Sequence, residues 1–330
     1  MLVLGIESSA NKLGIGLIKD DKIVFNKRVT HFTPAGTGFI PSETAAHHAR
    51  NILPLLEECI EATGIRLSAL DLIAYTKGPG MAGPLQVGAI VARTLALYLD
   101  KPIVPVNHCV AHIEMGIKIT KAKNPIILYA SGGNTQVIAF SGKYKIFGET
   151  LDIAVGNCLD RFARLARICN DPSPGRNIEL LAQSSHEYLY LPYTVKGMDV
   201  SLTGILSYIS SKYDLNNEET VQALCYSLQE TIFSALVEVT ERAMALTNSN
   251  EIMIVGGVGC NERLQAMMKA MARERGAMLY AMDDNYCVDN GAMIAHTGML
   301  MHESNQIFTL EQCDVVQRFR TDTVSVTWKE

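Results

Sequence analysis

One pattern occurs twice in this 330-residue chain, about a domain apart, and it restricts the possible folds more than any other feature. Near the start, the apolar run Leu2–Glu7 enters a short polar turn, Ser8-Ser9-Ala10-Asn11-Lys12, and a second apolar run follows at residues 14–18. In the middle, Ile126–Ala130 enters Ser131-Gly132-Gly133-Asn134-Thr135 and a second run follows at 136–140. A tight turn of small polar residues between two apolar runs predicts a β-hairpin. Two such hairpins predict a duplicated fold with two facing lobes. The rest of the chain alternates short apolar strands with amphipathic helices, which specifies an α/β class. Residues 42–63 read as a helix kinked at Pro54. Val221, Leu224, Cys225, Leu228, Ile232, Leu236 and Val239 recur at spacings of three and four, so 221–246 reads as a core-packed helix. Residues 85–99, interrupted by Gln86 and Arg93, are too short and too charged to span a bilayer and read as a buried helix. Residues 322–328 alternate like an edge strand, with Trp328 as a packing anchor.

The length suffices for about two domains with real cores. With 48% apolar and 19% charged residues, the chain is globular and core-rich. The opening residues already read as a strand and no leader is visible, so a cytoplasmic and nuclear location is expected. Eight cysteines without a C-x-x-C read as free thiols. The net charge of −5 argues against a stand-alone nucleic-acid binder, which carries a basic face. If the target is a polyanion, a local patch or a basic partner must serve.

His108-Cys109-Val110-Ala111-His112 carries two imidazoles at a spacing of four. On a helix this places both on one face, where they can share a metal ion. The zinc-protease motif has Glu after the first His as its general base; Cys109 stands there instead. Glycine turns that expose backbone N–H groups can hold anions, and four stretches qualify: the two hairpin turns, Gly78-Pro79-Gly80-Met81-Ala82-Gly83, and Gly256-Gly257-Val258-Gly259-Cys260-Asn261. Taken singly, each is an ordinary turn. The first glycine-rich stretch has the spacing of a P-loop but Pro84 in place of the lysine. The second lacks the third glycine of a dinucleotide fingerprint. In combination, two hairpins and a late strand–Gly-Gly–helix resemble the phosphate and adenosine elements of the two-lobed actin/hexokinase/Hsp70-like ATPase (ASKHA) fold. The lobes would comprise 1–122 with 296–330, and 123–295.

Longer blocks resemble one family, the universal tRNA threonylcarbamoyladenosine synthases (TsaD in bacteria, OSGEP in eukaryotes), once labelled O-sialoglycoprotein endopeptidases. The blocks run in the family's order from Leu4-Gly5-Ile6-Glu7-Ser8-Ser9 to Arg318-Phe319-Arg320-Thr321-Asp322. Between them lie Arg93, Asp100, Pro102, His108, Ala111, His112 and Ile113, then Tyr129 through Thr135. Asp152 through Phe162, Ser173-Pro174-Gly175, Gly256-Gly257-Val258 and Asp289 through Ile294 complete the match.

The resemblance implies transfer of a threonylcarbamoyl group from threonylcarbamoyl-AMP to N6 of the adenosine 3′ of the anticodon, in tRNAs reading codons that begin with A. It implies that His108 and His112 hold one divalent metal ion, iron or zinc, with Asp289 and Tyr129, and serve the reaction. Tyr129, Ala130, Ser131, Gly132, Gly133, Asp160, Gly175, Glu179 and Asn261 would contact the donor, and Ser8, Ser9 and Asn11 would form a phosphate loop. ATP or AMP analogues could occupy the same site. Without the resemblance, Asp160 and Glu179 read as helix-surface carboxylates, Tyr129 as core, and Asp289 as a cap for a helix starting near Asn290. The stretch 32–39 and the ending at 324–328 look like the cytosolic eukaryotic type. No kinase-like sequence follows Glu330, which implies a separate small atypical kinase subunit and the other subunits of the KEOPS complex, with no membrane partner. Other readings of the same residues are an ATPase or small-molecule kinase, a nucleotide-binding scaffold, and, least favoured, a metalloprotease.

Overall fold

A computed structural model describes residues 1–34, 36–282 and 284–329; Ala35 within the 32–39 stretch, and Glu330, lie outside the described residues. Among them are two five-stranded sheets. The first contains β1 (Leu2–Glu7), β2 (Lys12–Lys19), β3 (Lys22–Thr30), β4 (Leu72–Gly78) and β5 (Ile103–Asn107) in the order β3-β2-β1-β4-β5. The second contains β6 (Ile126–Ala130), β7 (Thr135–Phe140) and β8 (Tyr144–Glu149). After a two-strand ribbon, β9 (Val195–Lys196) with β10 (Asp199–Val200), it is completed by β11 (Glu251–Val255) and β12 (Met278–Ala281). Read from the β8 edge its order is β8-β7-β6-β11-β12. In both sheets an antiparallel hairpin and a third antiparallel strand lie on one side of the first strand, and two parallel strands on the other. The echo between the two hairpins therefore extends to the whole topology.

The helices are α1 (Pro41–Thr63), α2 (Ala82–Leu99), α3 (His108–Thr120), α4 (Val155–Leu165), α5 (Pro174–Ala182) and α6 (Thr203–Lys212), then α7 (Glu218–Thr247), α8 (Glu262–Glu274), α9 (Asp284–Cys287) and α10 (Gly291–Glu303). All six residues of β1 are buried, as a central strand covered on both faces requires. Leu4, Ile6, Leu13 and Leu17 meet α1 and α2 on one face; Val3, Ile18, Leu72 and Val106 meet α3 and α10 on the other. In the second lobe α4 to α8 cover one face of the sheet. α3 lies between the two sheets. Its Ala111 and Met115 pack in the first core and its Cys109, Val110 and Ile113 in the second. Residues 108–116 are consequently all buried.

α10 lies on the first sheet closer than side chains would permit. A Cβ on Gly16 would sit 2.1 Å from the Ala292 backbone nitrogen, and one on Gly291 would sit 2.1 Å from the Gly16 nitrogen. This contact of backbone on backbone brings the start of α10, and Asp289 just before it, against the first hairpin.

Two expectations need correction. Residues 322–328 form no strand: a 3-10 turn covers Thr321–Thr323, and the rest is irregular. Their alternation is genuine, because Val324 and Val326 are buried beside Tyr129 and Ile138, but it serves side-chain packing rather than a backbone ladder. Trp328 packs partly buried against the same core. The helix predicted over 85–99 is also not buried all round. Its buried side includes Leu85, Ala89, Ala92 and Ala96, whereas Ile90, Leu97 and Tyr98 are 64%, 66% and 85% exposed. The helix over 42–63 and the long helix over 221–246 are present, as α1, which runs through Pro54, and α7.

Gly16→Ala should destabilise the protein by about 1–3 kcal/mol, because the clash is with backbone that cannot rotate away. Gly204→Ala on α6, where a Cβ has open space, should be neutral or slightly stabilising. Urea denaturation of both variants checks the pair.

A candidate metal centre in the cleft

The two imidazoles occupy the first turns of α3. The Asn107 side chain starts this helix by accepting the Val110 N–H at 3.1 Å, and its own amide donates to the Phe319 carbonyl at 3.1 Å. The helix spacing then places the His108 and His112 rings 4.7 Å apart, edge to face. Asp289 completes the group: its Oδ1 lies 3.1 Å from His112 Nε2 and 3.5 Å from His108 Nε2. One ligand atom from each of the three falls within 4.8 Å of the others. Asp289 is free to do this because Asn290 is the residue that caps α10, accepting the Met293 N–H at 3.0 Å. The Tyr129 ring lies 5.4 Å from His112, and both the Tyr129 hydroxyl and His112 Nδ1 are buried without a hydrogen-bond partner among the described residues. Orphaned buried polar atoms of this kind are costly unless something binds them. Two imidazoles, a carboxylate and a spare hydroxyl form a donor set that suits one divalent transition-metal ion.

Two residues without an assigned role in the sequence reading surround this group. Glu7, fully buried at the end of β1, lies 3.0 Å from His108 Nδ1. Lys12 lies 3.9 Å from Asp289 Oδ2 and donates to Asn11 Oδ1 at 3.0 Å. The sequence signals for Glu7 are a carboxylate at the end of an otherwise apolar strand and its place in the block 4–9, and neither names a partner. These charges control protonation. Burial favours neutral His108, but the Glu7 and Asp289 carboxylates outweigh it and hold its pKa well above the usual imidazole value. Burial likewise opposes ionised Asp289, but both histidines and Lys12 keep its pKa well below the usual carboxylate range. His112, which burial dominates, is pushed down and stays neutral, the form that ligates.

The remaining candidates line the second lobe. Tyr129 and Ala130 end β6, and the turn after them is pinned where the Ser131 carbonyl accepts the Gly156 N–H at 3.1 Å. No atom comes within 4 Å of a Cβ built on Gly132, Gly133 or Gly175. Asp160 projects from α4, half-buried. Glu179 on α5 accepts from Arg176 at 2.8 Å and from the Glu262 N–H at the start of α8 at 2.7 Å. Asn261 caps α8 through Leu264 and donates to Gln229 at 2.7 Å. Glu179 and Asn261 thus meet at one helix start, where both already have protein partners. In the first turn, Ser8 points its hydroxyl back against Gly88 of α2, and Ser9 packs on Gly80. Asn11 lies beside Lys12 and reaches the His31 carbonyl at 3.4 Å.

A family model described as tRNA N6-adenosine threonylcarbamoyltransferase (TsaD) matches residues 22–296. The chain is 60% identical over 331 residues to the tRNA N6-adenosine threonylcarbamoyltransferase of Encephalitozoon cuniculi, covering 100% of both chains. It is 56% identical over 332 residues to the human protein of that name, covering 99% of each. Among solved structures, HypF from T. kodakarensis is similar with a TM-score of 0.66 at 14% identity, over 90% of this chain and 47% of that one. The activator of the 2-hydroxyisocaproyl-CoA dehydratase from Clostridium difficile, with bound ADPNP, has a TM-score of 0.52 at 13% identity, over 94% and 100%. These two show the ASKHA-type fold expected from the paired hairpins.

Burial pushes the Asp160 carboxyl up to about 6, against the pull of Arg164 and Lys12. The folded state therefore binds this proton more tightly than the unfolded chain, and stability falls as pH rises from about 4 through 6. Asp160→Asn should be more stable than the parent at pH 7 by about 1–3 kcal/mol. The difference should close below about pH 4, where both side chains are neutral. Denaturation at several pH values tests this.

Proposed function

The chain belongs to the tRNA N6-adenosine threonylcarbamoyltransferase family, which makes it an acyl-type transferase acting on tRNA, and from that premise we propose how it works. The donor is threonylcarbamoyl-AMP and the acceptor is N6 of the adenosine 3′ of the anticodon, in tRNAs reading codons that begin with A. The observation that carries this reading is the buried His108–His112–Asp289 group beside the orphaned Tyr129 hydroxyl, directly ahead of an open backbone turn.

The donor is a mixed anhydride, so AMP is already a good leaving group and no side chain has to create a strong nucleophile. N6 attacks the carbamoyl carbon, the bond to the phosphate oxygen breaks, AMP leaves with the bonding electrons, and the N6 proton is released. What the protein contributes is positioning and charge stabilisation. The amides at Gly132 and Gly133 would face charge on the donor, since the Ser131 N–H is taken by the Asn134 carbonyl at 2.9 Å, and from the other lobe the turn holding Ser8 and Asn11 would lie opposite, its Ser9 N–H being held by Glu7. Asp160 and Glu179 suit a ribose diol, since a carboxylate accepts from both hydroxyls. Gly175 leaves room for close approach, and Asn261 lies on the adenosine side. His108, His112 and Asp289, with Tyr129, would hold one divalent ion, iron or zinc, whose chemistry there would be Lewis-acid stabilisation of charge on the donor's carbamoyl oxygen or phosphate. Cys109 does not replace a protease's base, because burial pushes its thiol up and keeps it protonated.

The subunit would act in the cytoplasm and nucleus within the KEOPS complex, beside a separate small atypical kinase. Two observations support partner subunits: the net charge of −5, which leaves basic surface for tRNA to be supplied by others, and the exposed Ile90, Leu97 and Tyr98 on α2.

Threonine-labelled threonylcarbamoyl-AMP, tRNA and the partner subunits should give labelled tRNA with the parent protein. His112→Ala should lose roughly a hundredfold or more in rate. Equal labelling by both proteins would remove the histidine pair from the chemistry. No labelling by either, with active partners, would favour a nucleotide-binding scaffold or ATPase. Separately, zinc at about 100 times its Kd should stabilise the parent against denaturant by about 2.7 kcal/mol, and Asp289→Asn should abolish that gain.

A further inference from the structure

Glu7 is fully buried, yet each of its carboxylate oxygens has partners. Oε1 accepts the Ser9 N–H at 2.7 Å, and Oε2 accepts the Thr76 hydroxyl at 2.6 Å and faces His108 Nδ1 at 3.0 Å. Ser9 belongs to the turn after β1, and Thr76 to the neighbouring strand β4, so the carboxylate is held from two elements and cannot rotate. Its partners on the protein side are all donors. A carboxylate only accepts, so the proton of that contact belongs to His108 Nδ1. The other ring nitrogen, Nε2, is then the one turned towards Asp289, at 3.5 Å.

We propose that Glu7 is the positioning residue of the metal centre: it keeps the proton of His108 on Nδ1 and presents Nε2 to the ion. The inference rests on the reading of His108, His112 and Asp289 as a metal site. It follows a general rule for metal-bound imidazoles, whose second nitrogen donates to a carboxylate or carbonyl that fixes the tautomer and raises the ligand's basicity. Here the carboxylate comes from the first strand of the chain, a hundred residues before the ligand it holds. A glutamine at position 7 is nearly isosteric but cannot accept from all three donors. One of its two ends is an NH2 group, which must either confront the Ser9 N–H or turn towards His108 Nδ1 and favour the opposite tautomer.

The test uses full-length protein loaded with zinc, which is diamagnetic. Long-range nitrogen–proton NMR should show His108 protonated at Nδ1 and bound through Nε2; zinc on Nδ1 would overturn the proposal. Competition with a chromophoric chelator should show zinc held about 10–100-fold more weakly by Glu7→Gln. Parent-like zinc affinity in Glu7→Gln, even with lowered thermal stability, would make Glu7 a purely structural residue and overturn the proposal. If Glu7→Gln does not fold, Thr76→Val replaces it. That variant keeps the carboxylate but removes one of its anchors, so a several-fold loss of zinc affinity is expected and an unchanged affinity counts against the idea. A parent protein that binds no zinc, iron or other divalent ion would overturn the metal site itself, and the role of Glu7 with it.

Discussion

The structure depends on the burial of α3 between two sheets. Over residues 108–116 a helix so placed has no face left for water, yet these turns carry two imidazoles. A charge in such a place costs several kcal/mol unless it is paired. The surroundings meet this demand with alternating charge: Glu7, then His108, then Asp289, with neutral His112 and Lys12 on either side of the last. These residues come from β1, β2, α3 and the start of α10, so the arrangement exists only once both ends of the chain are in place. The polar atoms left over among the described residues, His112 Nδ1 and the Tyr129 hydroxyl, belong to rings 5.4 Å apart. Reactivity in the cleft is thus a by-product of how the two lobes share one helix.

The duplicated topology supplies two equivalent hairpin turns, but the lobes use them differently. In the first, glycines let α10 lie directly on the strands, and the turn is tied down by Glu7 and by Gly80 and Met81. In the second, the turn after β6 is anchored at Ser131 and left open at Gly132 and Gly133. The last segment then joins the lobes. Asn107 holds the Phe319 carbonyl, Arg320 pairs with Glu149 at 3.2 Å, and Lys329 donates to the Tyr144 hydroxyl at 2.6 Å, beside buried Glu114.

Features that local pattern determines were legible in the sequence. Both hairpins, the long helix α7 and the histidine pair follow from period and spacing, because each needs only neighbours along the chain. Pairings across the fold were not. Nothing near Glu7 or Lys12 announces His108 or Asp289. The alternation at 322–328 was real but ambiguous, since a strand in a ladder and a tail packed on a core bury the same residues. The apolar run of α2 hid its exposed face for a similar reason: composition records how apolar a helix is, not what covers it. At the start of α10, the residues alone offered Asp289 as the cap, with the helix starting near Asn290. The cap went to Asn290, and that choice releases the carboxylate for the cleft.

The glycine-mediated contact of α10 with the first sheet has a consequence for how the molecule is made. The strands of that sheet leave the ribosome within the first 107 residues, whereas the helix that covers their apolar Val3, Ile18, Leu72 and Val106 begins only at Gly291. At elongation rates of about 5–20 residues per second, the nascent first lobe waits roughly 10–40 s with that face covered by α3 alone. The second sheet, assembled from the stretch 126–281, already has α4 to α8 on one face by then and waits for Val324 and Val326 on the other. Synthesis therefore brings the helical cover of the later lobe into place before that of the earlier one.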